Sequence, residues 1–235
     1  MVESSRTALV AGATGLIGGH ALTLLLDNPA YSRVTTLVRR PTGRSHAKLT
    51  ERVIDFDQLT SSGERQRLGG GLRPPQLVAT DAFAVTDVYA CLGTTIKVAG
   101  SQERFYQVDH DYAVNVAKLA KEHGATRLAL VSSIGASAKA GSFYLRVKGE
   151  TEDDIRAIGF PRLVIAQPSI LMGDRTESRP GEKFGIAVMR GLDFAMFGGL
   201  RKYRAIDASA VARGMIRAMQ DGDGEQVLRY DDFSV

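Results

Sequence analysis

The sequence has little of what several specialised protein classes need. Its 235 residues include one cysteine, no tryptophan, seven prolines and four histidines. One cysteine cannot close an internal disulfide, so the chain is no disulfide-stapled scaffold, and a reducing, cytoplasmic compartment is expected. His20, His46, His110 and His123 are scattered, and no ligand cluster surrounds them; no metal is expected. No apolar run approaches the ~20 residues that span a bilayer. Met1 to Arg6 is too short and polar for a signal peptide, so no membrane association is expected. Thirty Lys+Arg against 26 Asp+Glu leave a charge of +4 without a dense basic run, which argues against a nucleic-acid surface.

What is present is an ordinary globular composition, 44% hydrophobic and 24% charged, long enough to bury a core in one domain spanning 1–235. The stretch from Thr7 to Leu26 organises it. Ala8 to Ala11 reads as a buried strand, and Leu16, Ile17, Ala21, Leu24 and Leu25 give a helical period. Between them Gly12, Gly15 and Gly18 are spaced three apart. Gly12 permits a tight turn, Gly15 lets the backbone approach a pyrophosphate, and Gly18 lets the helix lie close to the strand. Unpaired first-turn N–H groups carry partial positive charge and suit a diphosphate. Strand, glycine turn and helix together are the context of a dinucleotide fingerprint.

Alternating elements follow. Asn28-Pro29 ends the first helix, and Val34 to Val38 is a second strand. Arg39 lies 21 residues past Gly18, beside Arg40 and with no carboxylate nearby. An acidic residue at this distance bonds the adenosine ribose, whereas arginine accommodates a 2′-phosphate, so NADP(H) is expected over NAD(H). Solvated loop charge is the other reading of both arginines. Arg52 to Phe56 is a third strand ending near the carboxylate of Asp55, which by itself reads as a helix or turn cap. Gln58 to Thr80 carries loop signals and no assigned role. Asp87 to Leu92 is the fourth strand; Cys91 within it reads as packing, with no neighbouring cation to activate its thiol.

Ser101 to His123 reads as one long helix, capped near Ser101 and stopped by Gly124, with Asn115 either packing or holding a water. Arg127 to Ser132 is the fifth strand and Pro161 to Gln167 the sixth. Asp207 to Gln220 is a last helix with Asp207 as N-cap, and Gln226 to Tyr230 a last strand. The segments 168–206 and 221–235 are expected to form a small substrate-side lobe. In it, Arg175 and Arg179 bind an acidic substrate or form solvated ion pairs. The fold class is therefore α/β, a doubly wound, mostly parallel Rossmann-type sheet with helices on both faces.

The candidate chemistry sits after the fifth strand. Ser133 is followed eleven residues later by Tyr144, and Lys148 comes four after that. Positions i and i+4 share a helix face, so phenol and ammonium project together. A phenol titrates near ~10, and a nearby ammonium favours the phenolate. That suits proton exchange with a substrate oxygen, held also by Ser133, while hydride moves to or from a nicotinamide.

These residues, Gly12 to Gly18, Ser133, Tyr144 and Lys148, resemble the short-chain dehydrogenase/reductase superfamily in its extended or atypical branch. Cys91 to Thr95, Val108 to Tyr112, Tyr144 to Glu150 and Asp174 to Glu182 resemble, more narrowly, the Tat-interacting-protein type of oxidoreductase. The resemblance implies catalytic Ser133, Tyr144 and Lys148, with Lys148 also on the nicotinamide ribose. It implies cofactor contacts at Gly12, Thr14, Gly15, Leu16, Ile17 and Gly18, at Arg39 and Arg40, and at Asp55 and Phe56. It extends them to Cys91, Leu92, Gly93, Thr94 and Ser132, to Tyr144 and Lys148, and to Pro168, Ser169 and Ile170. Gln167 stands where many relatives carry an arginine. The function implied is reduction of a carbonyl or oxidation of an alcohol on a small molecule, by a monomer or homodimer. An NADPH-binding redox sensor and a nucleotide-sugar epimerase or dehydratase remain alternatives, and the short C-terminal region leaves the latter little room for a sugar diphosphate.

Overall fold

The computed structural model describes residues 5–59, 80–172 and 204–233. Among them, seven parallel strands form the main sheet: β1 (Arg6–Ala11), β2 (Tyr31–Val38), β3 (Leu49–Val53), β4 (Asp87–Ala90), β5 (Arg127–Val131), β6 (Arg162–Ala166) and β9 (Gly224–Leu228). Their order is β3-β2-β1-β4-β5-β6-β9, and β7 (Leu171–Met172) pairs separately with β8 (Ile206–Asp207). The doubly wound architecture read from the sequence is the one observed. The order reverses between β1 and β4, where Ala11 pairs with Ala90. A crevice for ligands opens beyond the carboxyl ends of strands at such a point.

The helices are α1 (Leu16–Asp27), α2 (Ile96–Ala99), α3 (Gln102–Tyr106), α4 (Tyr112–Glu122), α5 (Phe143–Ile158), α6 (Ala208–Ala218) and α7 (Tyr230–Phe233). The inner strands are buried on both faces, which is why they read as continuous apolar runs. Alternate residues of β1 feed different layers: Ala8 and Val10 pack with Leu22, Leu25 and Met215 under α1 and α6. Leu9 and Ala11 pack with Val116, Leu119 and Ile155 under α4 and α5. Burying one such aliphatic side chain stabilises the fold by roughly 1.5–3 kcal/mol.

Several boundaries differ from expectation. β3 is Leu49–Val53, not Arg52 to Phe56; an edge strand of half-exposed residues, with Thr50, Glu51 and Arg52 at its centre, lacks an apolar run to mark it. The expected long helix is three segments, because Gln107–Asp111 forms a π-turn between α3 and α4. β9 starts at Gly224 and closes the sheet edge against β6, so 221–235 does not all belong to a separate lobe. Asp207 caps α6 as expected, accepting from the Ser209 N–H at 2.7 Å. Arg175, Arg179 and most of Gln58 to Thr80 lie outside the described residues.

Candidate active site

The glycine turn is built by close backbone approach. Gly12 has φ +89°, and a β-carbon there would lie 2.4 Å from the Cys91 carbonyl oxygen. One at Gly18 would lie 2.2 Å from the Gly12 carbonyl oxygen. Glycine at these positions thus allows α1 to start directly above β1 and against β4. Gly15 is the N-cap of α1, contributes no side-chain cap, and the first turn holds no acidic residue. The N–H groups of Leu16, Ile17 and Gly18 therefore stay available to an anion. Thr14 and Gly15 are exposed, Leu16 half-buried and Ile17 buried, so contacts at this turn fall to the backbone.

The next strand end brings the second part of the site. The Cys91 N–H donates to the Ala11 carbonyl at 2.8 Å, which locks the end of β4 to the end of β1. Burial pushes the Cys91 thiol up to about 12, so it stays protonated, as a packing residue does. Two residues on, a β-carbon at Gly93 would lie 3.5 Å from Asp109 Oδ1 and 3.9 Å from Lys148 Nζ. The path Gly12, Cys91, Gly93, Lys148 is thus continuous, and it joins the two motifs at one edge of the sheet.

On α5, Lys148 is almost fully buried and its Nζ lies 2.7 Å from Asp109 Oδ1. The other oxygen of Asp109 accepts from the Thr94 N–H at 2.8 Å. The ammonium is held by this carboxylate. Tyr144 is half-buried and packs on Phe105, ring centroids 5.8 Å apart. Among the described residues its hydroxyl bonds to no protein group. Ser133 is half-buried, with one long contact of 3.5 Å to the Ile134 carbonyl.

Arg39 and Arg40 follow β2 directly and are exposed. These features fit a pyridine dinucleotide: a cradle that a β-carbon would fill, N–H groups for a diphosphate, and cations beyond β2 and at Lys148.

Comparison with known proteins agrees. A family profile described as NAD(P)H-binding matches residues 12–221. The chain belongs to that NAD(P)H-binding family. It is 38% identical over 211 residues to "Protein fmp52, mitochondrial" of Aspergillus clavatus, covering 88% of this chain and 84% of that one. It is 33% identical over 218 residues to its namesake in Candida albicans, covering 92% and 89%. In fold, it resembles a UDP-glucose 4-epimerase from Thermotoga maritima, with a TM-score of 0.63 and 16% identity over 95% of this chain and 76% of that one. A short-chain dehydrogenase/reductase superfamily protein from Agrobacterium tumefaciens with bound NAD gives the same TM-score and identity over 95% and 77%. The chain is thus a member of an NAD(P)H-binding family, with the fold of these epimerase and dehydrogenase/reductase structures.

The relatives overturn the expected cytoplasmic location, since both carry mitochondrial names. A low cysteine count reports only on disulfides and does not separate one reducing compartment from another.

Other candidate residues of this NAD(P)H-binding chain have protein partners of their own. Ser132 is buried and its hydroxyl donates to Glu152, as does Gln167 Nε2 at 2.9 Å. Gln167 is buried, and its carbonyl oxygen lies 3.4 Å from Arg229 Nε. Ser169 donates to the Arg204 carbonyl, Pro168 is buried, and Ile170 is exposed. Asp55 caps a 3-10 turn, accepting from the Asp57 N–H at 3.0 Å, and Phe56 packs on Tyr112. Asn115 donates to the Leu59 carbonyl at 2.9 Å and is a packing residue. Leu92 is half-buried in the apolar layer under α4 and α5.

Sequence reading missed Asp109 and Gly149. A β-carbon at Gly149 would lie 2.1 Å from the Ser137 carbonyl carbon, so this glycine seats α5 against the loop that follows Ser133. Its place beside Lys148 was the available signal. Asp109 had none beyond its place in Val108 to Tyr112.

Proposed function

We propose that this chain is an NADP(H)-dependent oxidoreductase acting on a carbonyl or alcohol of a small molecule, with Ser133, Tyr144 and Lys148 at the reacting atoms. The observation that carries the reading is the continuity of the Gly12 turn, the Cys91–Gly93 strand end and Lys148 along one sheet edge. When bound, the nicotinamide supplies or accepts a hydride. The Gly12–Gly18 turn binds the diphosphate through backbone N–H groups. Exposed Arg39 and Arg40 receive a 2′-phosphate, for which a planar, permanently charged fork is suited. Lys148 orients the nicotinamide ribose with the ammonium protons that Asp109 leaves over. Tyr144 gives a proton to the carbonyl oxygen, or takes it from the alcohol, and Ser133 holds the same oxygen by hydrogen bond. The phenol is the one reacting group whose hydroxyl has no protein partner among the described residues, which leaves it to the substrate.

The test is consumption of NADPH against a panel of small carbonyl compounds. Tyr144→Phe is expected to lose ~100-fold or more of kcat while keeping NADPH affinity. Arg39→Ala is expected to weaken NADPH about tenfold and leave NADH unchanged. Full NADPH binding without turnover on any carbonyl would overturn the enzymatic reading in favour of a nucleotide sensor. The mitochondrial names of its relatives support a mitochondrial location, which cell fractionation tests.

A further inference from the structure

We infer that Asp109 is the positioning residue of this site, fixing both the Lys148 ammonium and the loop after β4 in the arrangement that receives the nucleotide. The inference rests on the role proposed for Lys148 and adds the group through which that lysine is placed.

One carboxylate ties three elements. Its Oδ1 lies 2.7 Å from Lys148 Nζ on α5, and its Oδ2 takes the Thr94 N–H at 2.8 Å. The side chains of Asp109 and Lys148 are 1% and 6% exposed, so neither charge is screened by bulk water. A buried ion pair is costly to form, and removing one partner strands the other charge. Such a pair is a poor choice for stability alone, and it stands where two strand ends meet. The backbone around it is unusual as well. Asp109 lies in the π-turn Gln107–Asp111, an insertion frequent at functional sites. Its own carbonyl lies 3.4 Å from Thr151 Oγ1, whose hydroxyl donates at 2.8 Å to the Val147 carbonyl, so the turn packs against α5 beside Lys148.

The consequence concerns geometry. An ammonium has three protons and a flexible four-carbon stem, so by itself it is poorly placed. Asp109 takes one proton and leaves two in a fixed direction, beside the open face of Gly93. The same carboxylate orders the Thr94 N–H, and with it the backbone from Leu92 to Thr94. Losing the carboxylate releases both contacts at once. Asp109 acts through Lys148 and Thr94 and need not touch the nucleotide.

The experiment is a double-mutant cycle on NADPH affinity, read by fluorescence titration of the full chain, with Asp109→Asn, Lys148→Met and the pair. Asp109→Asn is expected to bind NADPH about tenfold more weakly, and to lose much less once Lys148 is already methionine. Asp109→Glu, which keeps the charge, is expected to recover most of the loss. Circular dichroism confirms that each variant is folded at the titration temperature. An Asp109→Asn effect that persists undiminished in the Lys148→Met background overturns the inference, as does an unchanged affinity. If the unsubstituted protein binds no NADPH, the proposed function fails with it. If that protein binds and the cycle shows no coupling, the inference fails alone.

Discussion

The two edges of the sheet treat polar groups in opposite ways. At the amino edge, Arg6 lies 2.5 Å from Asp87, and Asp87 accepts the Tyr31 hydroxyl at 2.5 Å. Arg6 and Arg127 donate to the Met219 carbonyl at 2.7 and 2.8 Å, and Arg162 donates to the Ala218 carbonyl at 2.6 Å. Three arginines, opening three strands, thus satisfy carbonyls at the C-terminal end of α6, where a helix carries partial negative charge. At the carboxyl edge the helix end facing the crevice is the positive one, uncapped by any side chain. There the phenol of Tyr144 and the guanidinium groups of Arg39 and Arg40 make no bond among the described residues. The lesson is that one edge closes its charges on itself to hold the fold, and the other keeps them for a ligand. Two groups on the open edge are nonetheless closed: the Asp109–Lys148 pair, and Glu152 with Ser132 and Gln167.

The comparison breaks most visibly at Gly12. Gly12→Val would put a β-carbon into the Cys91 backbone at a left-handed φ. We expect loss of NADPH binding beyond ~100-fold and a stability drop of about 3 kcal/mol, by titration and denaturant unfolding. Arg162→Leu sharpens the contrast from the other side. That side chain is nearly buried and bonds the Ala218 carbonyl twice. Its loss should cost about 3 kcal/mol and leave NADPH affinity within about twofold at a temperature where the variant is folded.

The smallest effect is one of pH. The Tyr112 hydroxyl, and then Arg104, hold the Asp57 carboxyl below its usual range. Its contribution is present above the unfolded value of about 4 and lost as pH falls through the folded value. Asp87 has the opposite sign. Burial raises its carboxyl, so its contribution is full at low pH and lost as pH rises above about 4 through the folded value. Melting curves between pH 3 and 6 should show Asp57→Asn flattening the acid loss and Asp87→Asn removing a component that falls with rising pH. Asp57 is largely exposed, so its shift should be a few degrees at most.

Much of the fold was legible because its inner strands are buried on both faces and print as unbroken apolar runs, as Leu128 to Leu130 and Leu163 to Ala166 do. The glycine turn was legible because spacing and flanks jointly demand it. The edge strands β3 and β9 were misplaced, since Leu49-Thr-Glu-Arg-Val and Gly224-Glu-Gln-Val-Leu carry charge on exposed faces. Tyr144 and Lys148 could be paired by helical spacing, but spacing cannot say that the lysine turns to Asp109. An aspartate in the middle of a helix reads as surface charge until tertiary packing buries it. Ser132 and Ser133 differ for the same reason: adjacent strand-end residues point to opposite sides, and one meets Glu152.

The most direct measurement is hydrogen–deuterium exchange with and without saturating NADPH. Protection is expected at Gly12–Gly18 and Leu92–Thr94, with no change at the amino ends of β1, β4, β5 and β6. Protection confined to the amino edge, or none at the glycine turn, would contradict the account.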